Sequence, residues 1–178
     1  LLPGSRKQEV EKMLTVMLSI VDKFQQYEFV IAGAPSLDKE FYTPFLKKPQ
    51  VGFVVNKTYD LLSLSHAALV TSGTATLETA LFKVPQVVCY KANWLSYQIA
   101  KRIITLKYIS LVNLIMNKEV VKELIQTELT SKKLEKELSK ILSGSYREEQ
   151  LRAYSLLQKK LGGKGASENA AARIAENA

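Results

Sequence analysis

The sequence predicts an α/β domain: an open, Rossmann-like parallel sheet with helices on both faces and a helical extension at its C-terminal end. Three observations predict it. Short apolar runs rich in β-branched residues alternate with helix-patterned segments as far as Tyr90. Those runs are apolar throughout rather than at every second residue, as strands covered on both faces are. Glycine or proline stands where several of them stop or start, at Pro3-Gly4, Gly33, Gly73 and Pro85.

In chain order, Leu1-Leu2 reads as the last two residues of a strand, followed at once by the turn Pro3-Gly4-Ser5-Arg6. A domain does not ordinarily open mid-strand, so the chain is expected to be the C-terminal part of a longer protein. From Arg6, the residues Val10, Met13, Leu14, Met17, Ile20, Val21 and Phe24 share one helical face, which predicts an amphipathic helix running to Phe24. Strands are predicted over 28–32, ended by Gly33, and over 50–55, with a polar, proline-bearing connection between them. A short helix over 59–65 leads to the strand 68–71; a helix over 74–82 leads to the strand 84–90. Residues 94–106 pattern as a helix and 108–116 as a mixed apolar and polar segment. Residues 131–161 are charged and helix-rich, broken at Gly144, and Gly162-Gly163-Lys164-Gly165 precedes an alanine-rich last helix. The expected division is a Rossmann-like domain with its helical extension over 1–161 and a C-terminal helix over 162–178.

Ligands of open parallel sheets bind at the carboxyl ends of the strands. The strand-end segments Pro3-Gly4-Ser5-Arg6, Ala32-Gly33-Ala34, Thr71-Ser72-Gly73-Thr74 and Tyr90-Lys91 should therefore gather along one edge. The stretch from Ala68 to Glu78 is the most informative of them. Gly73 tolerates a positive φ and a close ligand, Ser72 and Thr74 offer hydroxyls, and the free N–H groups of the following helix favour an anion. Glu78, one turn on, is either a partner for sugar hydroxyls or an acid that suits the helix dipole. Ser-Gly-Thr is either an anion cradle or a helix cap.

Composition narrows the partners. Lys and Arg number 25 against 17 Asp and Glu, a net charge of +8 that favours an anionic partner: a nucleotide, a nucleic acid or an acidic membrane surface. The basic residues are scattered among acids and form no nucleic-acid motif, which disfavours a noncatalytic nucleic-acid-binding module. Cys89 is the only cysteine, which excludes an intrachain disulfide and a cysteine-based zinc site and suits a reducing cytoplasm. His66 is the only histidine, so a histidine metal site or a His-based catalytic dyad is disfavoured and a structural role is expected. No metal is expected.

Four ordered segments carry a resemblance: 2–10, Leu-Pro-Gly-Ser-Arg-Lys-Gln-Glu-Val; 71–78, Thr-Ser-Gly-Thr-Ala-Thr-Leu-Glu; 85–91, Pro-Gln-Val-Val-Cys-Tyr-Lys; and 110–115, Ser-Leu-Val-Asn-Leu-Ile. Together they resemble the lipid-A-disaccharide synthase family, inverting glycosyltransferases of the two-domain GT-B class. The likeness covers essentially the whole chain as the C-terminal, donor-binding half, and 121–126 with Gly165-Ala166-Ser167 fits that family's closing segments. The resemblance implies transfer of diacylglucosamine from UDP-2,3-diacylglucosamine to 2,3-diacylglucosamine 1-phosphate. It implies catalytic roles for Arg6 and Asn113, and donor binding by Gly4, Ser5, Arg6, Ser72, Gly73, Thr74, Glu78, Tyr90, Asn113, Glu123 and Gln126. Glu123 and Gln126, spaced i, i+3, are expected on one helix face. No cofactor is implied. The expected partners are the UDP-sugar donor, the lipid acceptor, an N-terminal domain holding the acceptor site and the base, and the cytoplasmic face of the bacterial inner membrane, with a homodimer left open and no nucleic acid. Lys101, Arg102 and Lys107 flank Ile103-Ile104 near Trp94 and read either as a membrane contact or as the edges of a buried helix. The alternative enzymes are other UDP-sugar GT-B proteins, of the UDP-N-acetylglucosamine epimerase or peptidoglycan glycosyltransferase type.

Overall fold

The computed structural model describes residues 1–91, 107–162 and 174–175. Five parallel strands run through it: β1 (Phe29–Gly33), β2 (Val51–Val55), β3 (Ala68–Thr71), β4 (Gln86–Tyr90) and β5 (Lys122–Ile125). β1 pairs with β2, and β3, β4 and β5 pair in that order, all parallel. Leu1-Leu2 joins the two groups. The Leu1 amino group donates to Val30 O at 2.7 Å and Ala32 N to Leu1 O at 2.9 Å on one side. Leu2 N donates to Leu69 O at 2.9 Å and Thr71 N to Leu2 O at 2.8 Å on the other. Across the sheet the order is β2, β1, Leu1-Leu2, β3, β4, β5, the doubly wound order in which the chain starts at the centre and works outward both ways.

Helices are α1 (Lys7–Leu18), α2 (Lys39–Tyr42), α3 (Thr58–Leu64), α4 (Thr74–Leu81), α5 (Leu111–Met116), α6 (Ser131–Leu142) and α7 (Ser145–Leu161). Alternation along the strands sorts them onto two faces. Leu69, Val87, Cys89 and Leu124 face α1 and α6, where Val10, Met13, Leu14 and Met17 meet Leu134, Leu138 and Ile141. Val70 and Val88 face the other way, toward Leu62 of α3, Ala80 of α4, Val112 of α5 and Tyr154 and Leu157 of α7. Burying that many aliphatic side chains at about 1.5–3 kcal/mol each is what holds both helix layers to the sheet.

Two expectations are corrected. The first helix ends at Leu18 rather than at Phe24: Ser19 Oγ donates back to Val16 O at 2.7 Å and meets Ser131 Oγ at 2.6 Å, and Val21–Lys23 form a 3-10 turn. Ile20, Val21 and Phe24 still reach the core from that turn. Glu123 and Gln126 do not share a helix face, because Lys122–Ile125 is the strand β5 and Gln126 opens a 3-10 turn beyond its end at φ +52°. The break at Gly144 falls between α6 and α7 as the sequence suggests. The helix expected over 94–106, its basic residues Lys101 and Arg102, and almost all of 162–178 lie outside the described residues. Among the described residues no helix is long and apolar enough to cross a membrane.

Candidate functional site

In a doubly wound sheet the connections leave the central strands toward opposite faces, and a crevice opens between them. Here α1 follows Leu1-Leu2 on one face and α4 follows β3 on the other. The crevice between them is a cleft of about 440 Å³ lined by Gly4, Ser5, Glu9, Gly33, Thr71, Ser72, Gly73, Thr74 and Glu78, among others. Three of the four strand-end segments are thus brought together.

The backbone explains the residue types. Gly4 has φ +101°, and a Cβ there would stand 2.5 Å from Glu9 Oε2. Gly73, the N-cap of α4, has φ +154° and ψ −165°, a conformation only glycine adopts without strain, and nothing lies within 4 Å of where its Cβ would be. A ligand can therefore come close to this turn.

Both helix ends that open on the cleft lack side-chain caps. Arg6 is the N-cap of α1 and Gly73 that of α4, with no side-chain cap bond at either. Ser5 does not cap α1, and the Ser72 hydroxyl instead donates to Ile109 O at 3.0 Å. Ser110 and Thr130 cap α5 and α6 by accepting from Asn113 N and Lys133 N, while α2, α3 and α7 share the lack of a side-chain cap bond. The first N–H groups of α1 and α4 remain available to an anion, at the positive ends of two helix dipoles.

Arg6 itself is exposed at the start of α1, beside the cleft rather than in its lining. Glu78 does line it, half-buried, one turn into α4. Tyr90 ends β4 and is paired in register with Ile125, which puts Tyr90 and Gln126 near each other beyond β4 and β5, outside this cleft.

Asn113 and Glu123 form a separate, fully buried unit. Asn113 Nδ2 donates to Val121 O and to Glu123 Oε1, both at 2.8 Å, while its Oδ1 accepts from Val120 N at 2.7 Å and Val121 N at 3.0 Å. The Glu123 carboxylate also accepts from Ile109 N, Ser110 N and Ser110 Oγ, at 2.7–2.9 Å. All four hydrogen-bonding positions of the Asn113 amide are therefore filled from within the protein. Ile109 links this unit to the cleft, receiving Ser72 Oγ on its carbonyl and giving its N–H to Glu123.

Neither the cysteine nor the histidine lines the cleft. Burial pushes the Cys89 thiol up to about 12. His66 stacks on Tyr27, with ring centroids 5.8 Å apart, and Nε2 donates to Leu142 O at 2.7 Å. Among the described residues no cluster of three or more His, Cys, Asp or Glu could hold a metal. Among the lining residues given no individual role in the sequence reading are Glu9, which passes for a first-turn acid, and Thr71, which entered only as part of a strand-end segment. The sequence signals for Glu9 were its place five residues after Gly4 and its inclusion in the segment 2–10.

Fold and cleft together define a doubly wound α/β domain of the kind that holds a nucleotide at its switch point. The family profile described as Lipid-A-disaccharide synthetase matches residues 1–177, and the chain belongs to that family. It is 38% identical over 179 residues to the lipid-A-disaccharide synthase of Syntrophus aciditrophicus (strain SB), covering 96% of this chain and 47% of that protein. The synthase of Geobacter metallireducens (strain ATCC 53774 / DSM 7210 / GS-15) is 33% identical over 183 residues, 99% of this chain and 48% of its own. That of Anaeromyxobacter dehalogenans (strain 2CP-C) is 33% identical over 174 residues, covering 93% and 45%. The chain spans about half the length of these curated relatives.

Proposed function

We propose that this chain is the donor-binding half of a glycosyltransferase that moves diacylglucosamine from UDP-2,3-diacylglucosamine to 2,3-diacylglucosamine 1-phosphate in lipid A biosynthesis. The observation that carries the reading is the switch-point cleft with two uncapped helix ends, in a chain of this family. The donor diphosphate lies across the N-termini of α1 and α4, with the Arg6 guanidinium on its oxygens and the Glu78 carboxylate on the ribose hydroxyls. As the glycosidic C1–O bond breaks, its electron pair passes to the diphosphate, and Arg6 and the helix N–H groups offset the charge that develops there. The acceptor hydroxyl attacks C1 from the opposite face and gives its proton to a base supplied by an N-terminal half. Asn113 and Glu123 act at one remove, fixing Ile109 and through it Ser72. The enzyme works on the cytoplasmic face of the inner membrane. Sedimentation of the chain with liposomes should rise with anionic lipid and fall with salt; indifference to both would remove the membrane contact.

UDP should raise the thermal midpoint of the chain, and an oligonucleotide should not. Arg6→Ala should weaken UDP much more than uridine; equal losses would take the guanidinium off the phosphates. Glu78→Gln keeps one acceptor and loses the charge, so it should weaken UDP by about tenfold, the low end of a charge-assisted hydrogen bond. It should weaken 2′,3′-dideoxy-UDP far less. Equal losses for the two nucleotides would return Glu78 to a dipole-compensating acid.

A further inference from the structure

The lining of the cleft is acidic although the chain is basic. Its charged lining residues are Glu9 and Glu78, both carboxylates, in a chain of net charge +8. Glu9 lies over Gly4, filling the space a Cβ would take, and among the described residues no hydrogen bond or ion pair holds its carboxylate. Thr71, on the neighbouring strand, lines the same cleft at 4% exposed, and its Oγ1, closed to solvent where it stands and brought to the cleft by rotation about χ1, has no hydrogen-bond partner. Buried hydroxyls in folded proteins are nearly always paired, so an orphan at a strand end beside a cleft marks a place where a ligand completes the set. An unneutralised carboxylate repels a diphosphate and accepts from hydroxyls, so these two groups select the neutral part of a sugar nucleotide rather than its charged part.

We propose that Glu9 and Thr71 form a subsite for the glycosyl ring. Glu9 accepts from a ring hydroxyl and the Thr71 hydroxyl completes the contact, while the diphosphate stays at the rim with Arg6 and the helix ends. In a 2,3-diacylated glucosamine the free hydroxyls are at C4 and C6, and these are the groups Glu9 takes. This rests on the donor-binding reading of the cleft.

Calorimetric titration of the chain and of Glu9→Gln and Thr71→Val with UDP and with UDP-N-acetylglucosamine tests it. Glu9→Gln should weaken the sugar nucleotide about fivefold or more, roughly 1 kcal/mol, and leave UDP unchanged or tighter. Thr71→Val, nearly isosteric, should also weaken the sugar nucleotide selectively while raising the thermal midpoint of the empty protein, because it removes an unpaired buried hydroxyl. If Glu9→Gln changes both ligands by one factor, or Thr71→Val lowers the midpoint and spares the sugar nucleotide, the subsite is overturned. Should Glu9→Gln not fold, Glu9→Asp, which withdraws the carboxylate by one methylene, is read in the same way. If the unsubstituted chain binds neither ligand, the donor-binding reading itself fails and the subsite falls with it; binding of UDP without any gain from the sugar overturns the subsite alone.

Discussion

Replacing Asn113 with Leu should destabilise the chain by on the order of 4 kcal/mol in urea unfolding, without ligand present. Leucine fills the volume but strands two backbone N–H donors, Val120 and Val121, the Val121 carbonyl and one contact of the Glu123 carboxylate. Each unpaired buried group costs roughly 1–3 kcal/mol. Asn113→Asp should be at least as damaging near neutral pH, since it sets a second carboxylate against Glu123 Oε1 where an amide donor stood. A loss under about 1 kcal/mol for Asn113→Leu would mean the network contributes little, and would restore Asn113 as a candidate for direct contact with the donor.

The second large effect belongs to the amino group of Leu1. In the chain beginning there, this group sits inside the sheet on Val30 O, and burial lowers it from 8.0 to about 5. Between those values the unfolded chain carries the proton and the folded one does not. Stability therefore rises with pH from about 5 to 8, by up to about 4 kcal/mol at 1.36 kcal/mol per unit. The full penalty is present below the folded value and none remains above the unfolded one. Adding residues ahead of Leu1 replaces the ammonium by a peptide N–H, which still donates to Val30 and does not titrate, and the slope should vanish. Urea midpoints for both chains at pH 5.5 and 8.5 decide it; parallel profiles would show that the amine stays hydrated.

β1, β3 and β4 were legible because strands covered on both faces are almost wholly apolar, a local demand, and β2, with only Val51 buried, was legible from its β-branched and aromatic run. β5 was not. Lys122-Glu123-Leu124-Ile125 carries two charges in four residues, and Glu123 is buried only because Ser110, Asn113 and the backbone at Ile109, more distant in sequence, satisfy it. The end of α1 was hidden for another reason: Ile20, Val21 and Phe24 stay on the buried side through the 3-10 turn, so the apolar spacing does not register the change of helix type. At the cleft, the turns at Gly4 and Gly73 could be read from residue type, since each needs a backbone conformation that glycine supplies. The individual parts of Glu9 and Thr71 could not, Thr71 being legible only as a member of its strand-end segment, because a side chain's place in the cleft depends on what packs around it.

The sheet is also a statement about order of assembly. Its central segment, Leu1-Leu2, precedes both of its partners in the chain: Val30 lies 29 positions later, and Leu69 later still. Until β1 has emerged the segment lacks both of the strands it pairs with in this sheet, and until β3 has emerged it lacks one of them. The cleft, which needs both edges closed, comes into being only at that second pairing. On a ribosome this domain therefore passes through a stage with two paired strands and an open parallel edge, the stage at which a nascent chain is most exposed to mispairing.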